Sequence, residues 1–279
     1  MERLQLILLN IGYSVHQGDW NWKDISSPFT RIYYVNEGSA KIHLPHFTQE
    51  LEPHNLYMIP PFSLHSYECK DYFSHFYIHV YENPKSKPNV LEEFNFPTEI
   101  NAKPLDLQLV NRLLEVNPHR ELKQYDPKAY DNPSTLLKNI AEGVHQPEYM
   151  VWETQGILAQ LVSRFFKYAV PKSEVQDERI KMALKFIRKN IDSSIKIGQL
   201  SEICNLSDDH FIRLFKKEMN CTPIRYINQK KIEKVQLMLL TENISIKDIA
   251  YSLSFENISY FNKVFKQITG YTPTQYHNF

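Results

Sequence analysis

Hydrophobic and polar positions divide the chain into three regions with different periods. Between residues 1 and 100, short segments rich in β-branched and aromatic residues alternate with turn residues, a pattern typical of antiparallel strands. Asn36-Glu37-Gly38 and Pro53-His54-Asn55 are predicted to form hairpin turns. Strands this short and this closely spaced favour a small β-barrel or sandwich. The clearest predicted strands are RIYYVNEG (31–38), SAKIHL (39–44), LYMIPP (56–61) and HFYIHV (75–80).

The second region changes to apolar spacings of three and four residues, which predict amphipathic helices. Proline and charge then cluster in VPKSEVQDE (170–178), which predicts a linker. We therefore expect a first domain over 1–169, the linker over 170–178 and a second domain over 179–279. The helices predicted at the end of the first domain are LQLVNRLLEV (107–116), STLLKNIAEGV (134–144) and VWETQGILAQLVSRFFKYA (151–169).

From residue 179 onward the pattern is helical throughout, and one segment occurs twice. Residues 211–226 read FIRLFKKEMNCTPIRY and residues 261–276 read FNKVFKQITGYTPTQY, with six of sixteen positions identical. Asn220 and Gly270 occupy the same place in the two copies, and both residue types readily adopt the left-handed conformation that ends a helix. Thr-Pro follows in each copy, which supplies an N-cap and then the residue suited to the first helical position. One supersecondary unit is therefore built twice.

Each copy has a short helix, a turn and a second helix, which is the helix-turn-helix layout. At about 100° per residue, the face of the second helix opposite its apolar stripe is polar in both copies. Its cations can pair with phosphates, and an arginine or lysine there can also reach a guanine edge. A helix with lysines outside is also an ordinary solvated surface, and the repetition favours DNA binding. The outer faces are Asp209, Arg213 and Lys216 with Ile212 at the flank, and Ser259, Lys263 and Lys266 with Asn262 at the flank.

The segment between the two copies predicts one helix over 223–241. Its length is roughly 28 Å at 1.5 Å per residue. Such a spacer can set two recognition helices about 34 Å apart, one turn of duplex, so that they enter successive major grooves.

Charge and composition are consistent with a DNA-binding module joined to a second domain. Residues 177–279 carry 16 Lys and Arg against 11 Asp and Glu, a balance of +5, and residues 1–176 carry 16 against 21, a balance of −5. The basic part suits a polyanion. An apolar content of 42% and a length of 279 residues are ordinary for a soluble globular protein of two domains.

Membrane insertion, secretion and disulfide bonding are not predicted. The early apolar run over 4–9 is too short to span a bilayer, and signal-peptide features are missing. Cys69, Cys204 and Cys221 are odd in number and have no CxxC spacing, which indicates neither a disulfide framework nor a zinc site. We therefore expect a cytoplasmic protein.

The segment SIKDIAYSLSFENISYFNKVFKQITGYTPTQY (245–276) resembles the DNA-binding domain of the AraC/XylS family of bacterial transcriptional regulators. That family usually has Gly-Phe where this chain has Ser254-Phe255, so either Ser254 adopts a conformation that glycine takes more cheaply or the turn differs. An acid at position 209 suits DNA only as an acceptor from a cytosine amino group, so we expect the first unit to bind less tightly than the second. The base-facing positions that the resemblance implies are Asp209, Ile212 and Arg213, then Ile258, Ser259, Asn262 and Lys263.

The first domain resembles the cupin-like sensor barrel of the same family through YYVNEGSAKI, LYMIPPFSLHSY and HFYIHV, in the family's order. The implied fold class is α+β, with an N-terminal cupin-like β-barrel and its helices followed by an all-α domain of two helix-turn-helix units. The resemblance also implies a small effector in the barrel, often a sugar, and dimerisation through the following helices. By position it places effector contacts at Asn36, Tyr67, His75 and Tyr77.

Strand parity adds two further candidates for the effector site. Arg31 and Tyr33 share a strand face with Val35 and can line the same cavity. The alternative is that these tyrosines and arginines are ordinary exterior residues of a barrel.

Six of the histidines in the first domain raise the possibility of a metal site. Metal cupins need an HxH pair, a carboxylate and a further histidine, and no HxH occurs in this chain. His75 and His79 share a strand face, but Tyr77 stands between them and no nearby acid completes a triad. No metal and no cofactor are therefore predicted. The six histidines are His43, His46, His54, His65, His75 and His79.

Taken together, the sequence predicts a dimeric, non-enzymatic transcriptional regulator, an activator controlled by a small effector for which a sugar is the candidate. Its expected partners are double-stranded DNA, the effector, RNA polymerase and a second copy of itself. Two alternatives stay open. One is a metal-dependent cupin enzyme with a nucleic-acid-binding tail, and the other is a regulator with no small ligand.

Overall fold

The computed structural model describes residues 5–82, 91, 94–131, 146–171, 175–241 and 244–277. The chain forms two compact units, residues 1–172 and residues 173–279. The helix predicted over 134–144 lies outside the described residues. In the part of the chain that is described, no helix is both long enough and apolar enough to cross a membrane.

The segment predicted as a linker, 170–178, makes structural contacts at both ends. Val170 and Pro171 pair with Asn95 and Phe94 as a short antiparallel ribbon of the first unit. At the other end, the Asp177 side chain already accepts a hydrogen bond from the first turn of a helix of the second unit.

The first unit is built from two antiparallel sheets. Over the described residues, the larger sheet has the strand order β1-β7-β2-β5-β9 and the smaller one β4-β3-β6, while β8 and β10 pair with each other. The strands are β1 (Leu6–Gln17), β2 (Thr30–Gly38), β3 (Ala40–His43), β4 (Thr48–Leu51), β5 (Asn55–Ile59), β6 (Ser66–Glu68), β7 (Tyr72–Glu82), β8 (Phe94–Asn95), β9 (Glu99–Asn101) and β10 (Val170–Pro171).

A single buried cluster joins the two sheets. Tyr33, Val35 and Tyr57 of the larger sheet pack in it with Ile42 and Tyr67 of the smaller one. Because successive side chains of a strand point to opposite faces, the neighbouring residues of β2 and β5 form a second cluster on the other face. Helices cover that outer face, so the larger sheet is buried on both sides.

Both predicted hairpin turns are wrong, because each carries the chain from one sheet to the other. β2 pairs with β5 and β7, whereas β3 pairs with β4 and β6. Gly38, at the end of β2, has a φ of +74°, and a Cβ there would collide with the Tyr72 carbonyl oxygen. The second crossing passes through His54, whose φ is +63°.

Strand β1 is the longest strand described, and its first half lacks the alternation of apolar and polar residues that identifies a strand in a sequence. It pairs with β7 along almost its whole length. Its first half is buried on both faces, so polar residues do not alternate with apolar ones there.

Helices α1 and α3 agree with the periodic segments predicted over 107–116 and 151–169, whereas the short helix α2 was not predicted. In the first unit, α1 and α3 pack on the outer face of the larger sheet through Val110, Leu113, Leu158 and Leu161. The described helices are α1 (Pro104–Glu115), α2 (Pro127–Tyr130), α3 (Glu148–Phe166), α4 (Glu178–Lys189), α5 (Ile197–Ile203), α6 (Asp208–Met219), α7 (Pro223–Thr241), α8 (Ile246–Ser252), α9 (Ile258–Thr269) and α10 (Pro273–His277).

The second unit has two separate hydrophobic clusters, one for each copy of the repeat. The first joins α4, α5 and α6 to the start of α7 at Ile227. The second joins α8 and α9 to the rest of α7 through Ile232 and Val235. The α+β class is therefore confirmed, with a sheet-rich unit followed by a helical unit of two helix-turn-helix modules joined by α7.

The predicted helix stops and restarts are confirmed. Asn220 has a φ of +55° and Gly270 a φ of +83°. The hydroxyl of Thr222 accepts from the Arg225 N–H at 3.3 Å. In the second copy, the hydroxyl of Thr272 accepts in the same way from the backbone three residues later, at 3.2 Å.

Gly270→Ala tests the left-handed stop. A Cβ there meets open space, so only the backbone conformation opposes it. We expect the free energy of unfolding to fall by about 1 kcal/mol, because an L-residue is strained at positive φ. Urea denaturation followed by far-UV circular dichroism measures the change.

The matched control is Gly198→Ala in α5, where a Cβ also meets open space and the backbone is helical. This change is expected to stabilise the chain by roughly 0.5 kcal/mol, because alanine loses less conformational entropy than glycine in a helix. A stabilising effect of Gly270→Ala would contradict the assignment.

Candidate functional site

The second helices of the two repeats, α6 and α9, present the candidate nucleic-acid interface. Phe211 and Phe215 anchor α6, and Phe261 and Phe265 anchor α9, all four with no exposed surface. Because each pair lies on one side of its helix, the opposite side faces solvent.

The side chains predicted to face DNA lie largely on these outer faces. Ile212 and Ile258 are the exceptions, since both are half-buried and pack against their hydrophobic clusters. Over the residues that the structure describes, none of the cations on the two faces makes an ion pair, so their charge is available to a polyanion. The exposed members are Asp209, Arg213, Lys216, Ser259, Asn262, Lys263 and Lys266.

The two recognition helices begin differently. The Asn257 side chain caps α9 and accepts from the N–H groups of Ser259 and Tyr260 at 2.8 and 3.1 Å. At the start of α6, the Asp208 carboxylate instead accepts from the hydroxyl of Ser201 on α5. Two acids in the first turn of α6 complement the positive end of the helix dipole. This gives Asp209 a structural role that does not involve DNA.

In the turn before α9, Ser254 adopts the left-handed conformation that glycine would favour. Its φ is +56°, so serine takes a conformation that glycine would adopt more cheaply. The corresponding turn of the first repeat has Asn205 at a φ of +52°. The departure from Gly-Phe therefore leaves the geometry of the turn unchanged.

The buried interior between the two sheets of the first unit is the second candidate site, and a buried arginine lies at its centre. The Arg31 guanidinium is fully buried and donates to the Tyr130 hydroxyl at 2.7 Å and to the Asp131 carboxylate at 2.8 Å. It also donates to the Ser27 hydroxyl and lies 3.2 Å from Nε2 of His79. A buried guanidinium requires such a counter-ion and acceptors.

A chain of hydroxyls and one imidazole runs beside this arginine. Nδ1 of His65 lies 2.8 Å from the Ser63 carbonyl, which only accepts, so Nδ1 carries the proton. Because burial lowers the pKa of His65 to about 3, Nε2 carries no proton at neutral pH and accepts from the Tyr67 hydroxyl at 2.9 Å. Tyr67 in turn accepts from Tyr33 at 2.5 Å. The histidine is therefore neutral in this arrangement.

Aromatic rings form one wall of the interior. Trp20 stacks on Tyr67 with ring centroids 4.0 Å apart and on Phe73 at 5.3 Å. The His75 ring lies 5.0 Å from Trp20 and 5.1 Å from Tyr33. Flat apolar rings beside fixed polar groups are the composition typical of a small-molecule site.

Five of the six candidate effector residues meet in this interior, and Asn36 does not. Arg31, Tyr33, Tyr67, His75 and Tyr77 are all buried. Asn36 follows Val35 and falls on the other face of the strand, where it donates to the exposed Tyr13 hydroxyl at 3.3 Å. Seven further interior residues are not among the predicted ones: His16, Trp20, Ser27, His65, His79, Tyr130 and Asp131.

Several polar atoms of the interior have no hydrogen-bond partner among the described residues. They are Nε of Arg31, Oδ1 of Asp131 and the Nδ1 atoms of His75 and His79. Buried polar atoms are normally satisfied by protein, water or a ligand. Over the same residues, no group of three or more His, Cys, Asp or Glu side chains is arranged to hold a metal ion.

Comparison with known proteins identifies a DNA-binding type of domain in the helical unit. A helix-turn-helix domain family model matches residues 200–278, which include both recognition helices. The matched segment is therefore a helix-turn-helix domain of the AraC/XylS type. Relatives with similar sequences include the uncharacterized HTH-type transcriptional regulator YdeC of Bacillus subtilis, which is 29% identical over 58% of this chain and 66% of its own length. The melibiose operon regulatory protein of Escherichia coli K12 is 24% identical over 66% of this chain and 64% of its own length.

Coverage of these relatives is partial. The chain spans about half the length of the curated relatives it matches. Among solved structures, unsaturated fatty acid-bound ToxT of Vibrio cholerae aligns over 99% of this chain and 97% of its own, with 13% identity and a TM-score of 0.48.

The buried histidines make the first unit sensitive to acid. Burial lowers the pKa of His16, His65, His75 and His79, to about 3 for His65. Below pH 6.5 the unfolded chain therefore binds protons that the folded unit excludes, and the free energy of unfolding falls as the pH drops. For His65 this loss extends down to about pH 3.

Between about pH 7.5 and about pH 5, the free energy of unfolding is expected to fall less in His65→Gln than in the parent. The difference between the two falls should be about 2 kcal/mol. The matched control is His46→Gln, which removes an exposed histidine. Urea denaturation at the two pH values, followed by tryptophan fluorescence, measures the difference. The same pH dependence in all three proteins would contradict the neutral, buried state of His65.

Proposed function

We propose that this chain is a sequence-specific DNA-binding regulator of transcription. The observation that carries the proposal is the repeated helix-turn-helix unit, whose two recognition helices both present exposed cations that lack ion pairs within the described residues. The names of the AraC/XylS relatives support it, since YdeC and the melibiose operon protein are both named as regulators. The same names favour regulation over the alternative of a metal-dependent enzyme.

Helix α7 gives the two units a spacing suited to duplex DNA. It runs from Pro223 to Thr241, nineteen residues, and contributes to both hydrophobic clusters. At 1.5 Å per residue it is roughly 28 Å long. Two recognition helices joined by such a spacer can enter major grooves about one turn, or 34 Å, apart on one face of the duplex.

The two recognition helices have unequal roles in this proposal. The outer face of α9 has Ser259, Asn262 and Lys263 and no acid, so it can lie against phosphates and base edges without repulsion. The outer face of α6 includes Asp209, which repels phosphate and accepts only from a base donor such as a cytosine amino group. We therefore assign tighter binding to α9 and more selective binding to α6.

Activation, dimerisation and contact with RNA polymerase belong to the same proposal and rest on the family resemblance. On helix α3, the side chains of Tyr149 and Trp152 are 63% and 74% exposed. Large aromatic side chains at such exposure are typical of a surface that another protein covers. This supports α3 as the face that meets a second copy of the chain.

The interior of the first unit is proposed to bind a small hydroxylated effector, with a sugar as the candidate. Hydroxyl groups both donate and accept, as the unsatisfied atoms of Arg31, Asp131 and the two histidines require. The stacked Trp20 and Tyr67 rings offer a flat apolar face of the kind on which a sugar ring can pack. A relative named for a melibiose operon also favours a carbohydrate.

The DNA interface is tested by substituting Lys263 and Lys196 separately by alanine. Lys263→Ala is expected to weaken specific binding by about 10- to 100-fold, because a contact at the groove is lost. The slope of the logarithm of the binding constant against the logarithm of the salt concentration should become shallower by about one. Lys196 is also exposed but precedes α5, away from both recognition faces. Its substitution serves as the control.

Gel-shift titration of the full chain on duplex DNA from upstream of its own coding region measures both affinities. The absence of any sequence-specific complex at low salt would count against DNA-binding regulation. Equal losses in the two variants would refute only the assignment of the recognition face.

The effector site is tested by thermal-shift titration with carbohydrates. A binder present at about 100 times its Kd stabilises the folded chain by about 2.7 kcal/mol and raises Tm. The double variant Arg31→Met, Asp131→Leu removes the interior ion pair without leaving one charge buried. We expect it to abolish the shift.

The matched control is Arg112→Met, Glu153→Gln, which removes an ion pair of 2.6 Å between α1 and α3 outside the interior. This variant should keep the ligand-dependent shift of the parent. A chain whose Tm no carbohydrate raises would instead support a regulator without a sugar ligand.

A further inference from the structure

One lysine of α7 is buried and bonded to both helix-turn-helix units. The Lys231 side chain lies in the interior of the second unit, and the residue is only 5% exposed. Its ammonium donates to the Ser193 carbonyl at 3.0 Å and to the Leu253 carbonyl at 2.6 Å. Ser193 precedes α5 of the first repeat, whereas Leu253 is the C-cap residue of α8 in the second. A single ammonium therefore links the two repeats.

Two further bonds support the same junction. The Ser254 hydroxyl donates to the Asp192 carbonyl at 2.7 Å. Lys234, one turn along α7 from Lys231, forms an ion pair with the Asp192 carboxylate at 2.6 Å. The chain at 192–193 is thus bonded to the turn at 253–254, which leads directly into the recognition helix α9.

The position of the ammonium has a clear physical basis. The Leu253 carbonyl lies at the C-terminal end of α8, where the helix dipole is negative and a cation is favoured. The Phe255 ring lies 5.3 Å from the ammonium and adds a cation–π contact. A buried ammonium is costly without acceptors, so the two carbonyls hold it in place.

These bonds matter because the hydrophobic clusters of the two repeats are separate. Apart from α7, which contributes to both clusters, the hydrogen bond from Ser254 to Asp192 joins the two repeats directly. The bonds at 192–193 and 253–254 therefore help α7 to set the direction of α9 relative to α6.

We propose that Lys231 is a positioning residue that fixes the separation of the two recognition helices and thereby makes DNA binding sensitive to the spacing between the two contacted segments. The inference rests on the proposed DNA binding. Lys231 itself does not contact DNA, because its ammonium is buried and faces the protein. Its neighbour Lys230 differs, since it is partly exposed and pairs with Glu233 at 2.6 Å.

The physical consequence of the junction is preorganisation. When two binding helices are held at one separation, a matching duplex is bound without further loss of conformational freedom. A duplex with extra base pairs between the two segments engages only one helix unless the junction deforms. Loosening the junction therefore lowers the preference for one spacing more than it lowers binding by a single helix.

The test uses the full-length chain and duplex DNA enriched by that chain from a random library. Hydroxyl-radical footprinting identifies the two contacted segments, and insertions of one, two and three base pairs change their separation. Lys231→Met keeps the length and apolar stem of the side chain but removes the ammonium. We expect the preference for the native spacing over the two-base-pair insertion to fall roughly tenfold relative to the parent.

Three variants separate the loss of the ammonium from a general loosening of the second unit. Lys230→Met removes a neighbouring charge and should retain the spacing preference. Val235→Ala loosens the second hydrophobic cluster without touching the junction, and it too should retain that preference. Lys231→Arg keeps a cation at the site and should restore part of what Lys231→Met loses.

Ser254→Gly gives an independent test should Lys231→Met fail to fold. Glycine suits the φ of +56° at this turn and removes only the hydroxyl that bonds to Asp192. It should also lower the spacing preference.

The remaining results would overturn either the inference about Lys231 or the proposed DNA binding. Unchanged preference in folded Lys231→Met, or in Ser254→Gly when Lys231→Met does not fold, would overturn the inference while leaving DNA binding intact. An equal loss in Val235→Ala would also overturn it, because loosening of the packing alone would then be sufficient to lower the preference. Failure of the parent chain to enrich any duplex would overturn the proposed function itself.

Discussion

The function of the second unit depends on one packing interaction, the burial of paired phenylalanines on one side of each recognition helix. Burying a phenylalanine side chain contributes about 1.5–3 kcal/mol, so four such residues fix the rotation of α6 and α9 about their axes. Once that rotation is fixed, the side chains half a turn away must face solvent. The chemical character of the outer face can then vary between the copies without changing the fold, which is why the repeat conserves its phenylalanines and differs at residues 209 and 259.

A different constraint shapes the first unit, where a charged side chain lies inside a small β structure. Arg31 is tolerated because Tyr130 and Asp131 come from beyond α1 to supply an acceptor and a counter-ion. The same arrangement leaves unsatisfied polar atoms beside stacked aromatic rings. An interior assembled only for stability would be satisfied by apolar residues of similar volume. The unsatisfied polar atoms are therefore the observation on which the proposed effector site rests.

The elements that depend on local pattern were predictable from the sequence, and those that depend on distant partners were not. Amphipathic periodicity predicted α6, α7 and α9, and residue type predicted the left-handed conformations at Asn220 and Gly270. Turn residues predicted chain reversals but not which strands would pair, so both hairpins were wrong. The Arg31–Asp131 pair joins residues one hundred positions apart, and no local signal marks Asp131. Likewise, burial on both faces removed the alternation that would have revealed β1.

The one departure from the family pattern is best understood through the junction between the repeats. Asn205 and Ser254 hold equivalent turns at nearly the same positive φ, so the turn itself tolerates more than one residue type. Glycine at position 254 would remove the conformational strain but would also remove the hydroxyl that bonds to the Asp192 carbonyl. Serine is conformationally strained at this position, but its hydroxyl forms a hydrogen bond between the repeats. Together with the bonds of Lys231, that bond connects two separately packed modules, as the proposed recognition of two segments of one duplex requires.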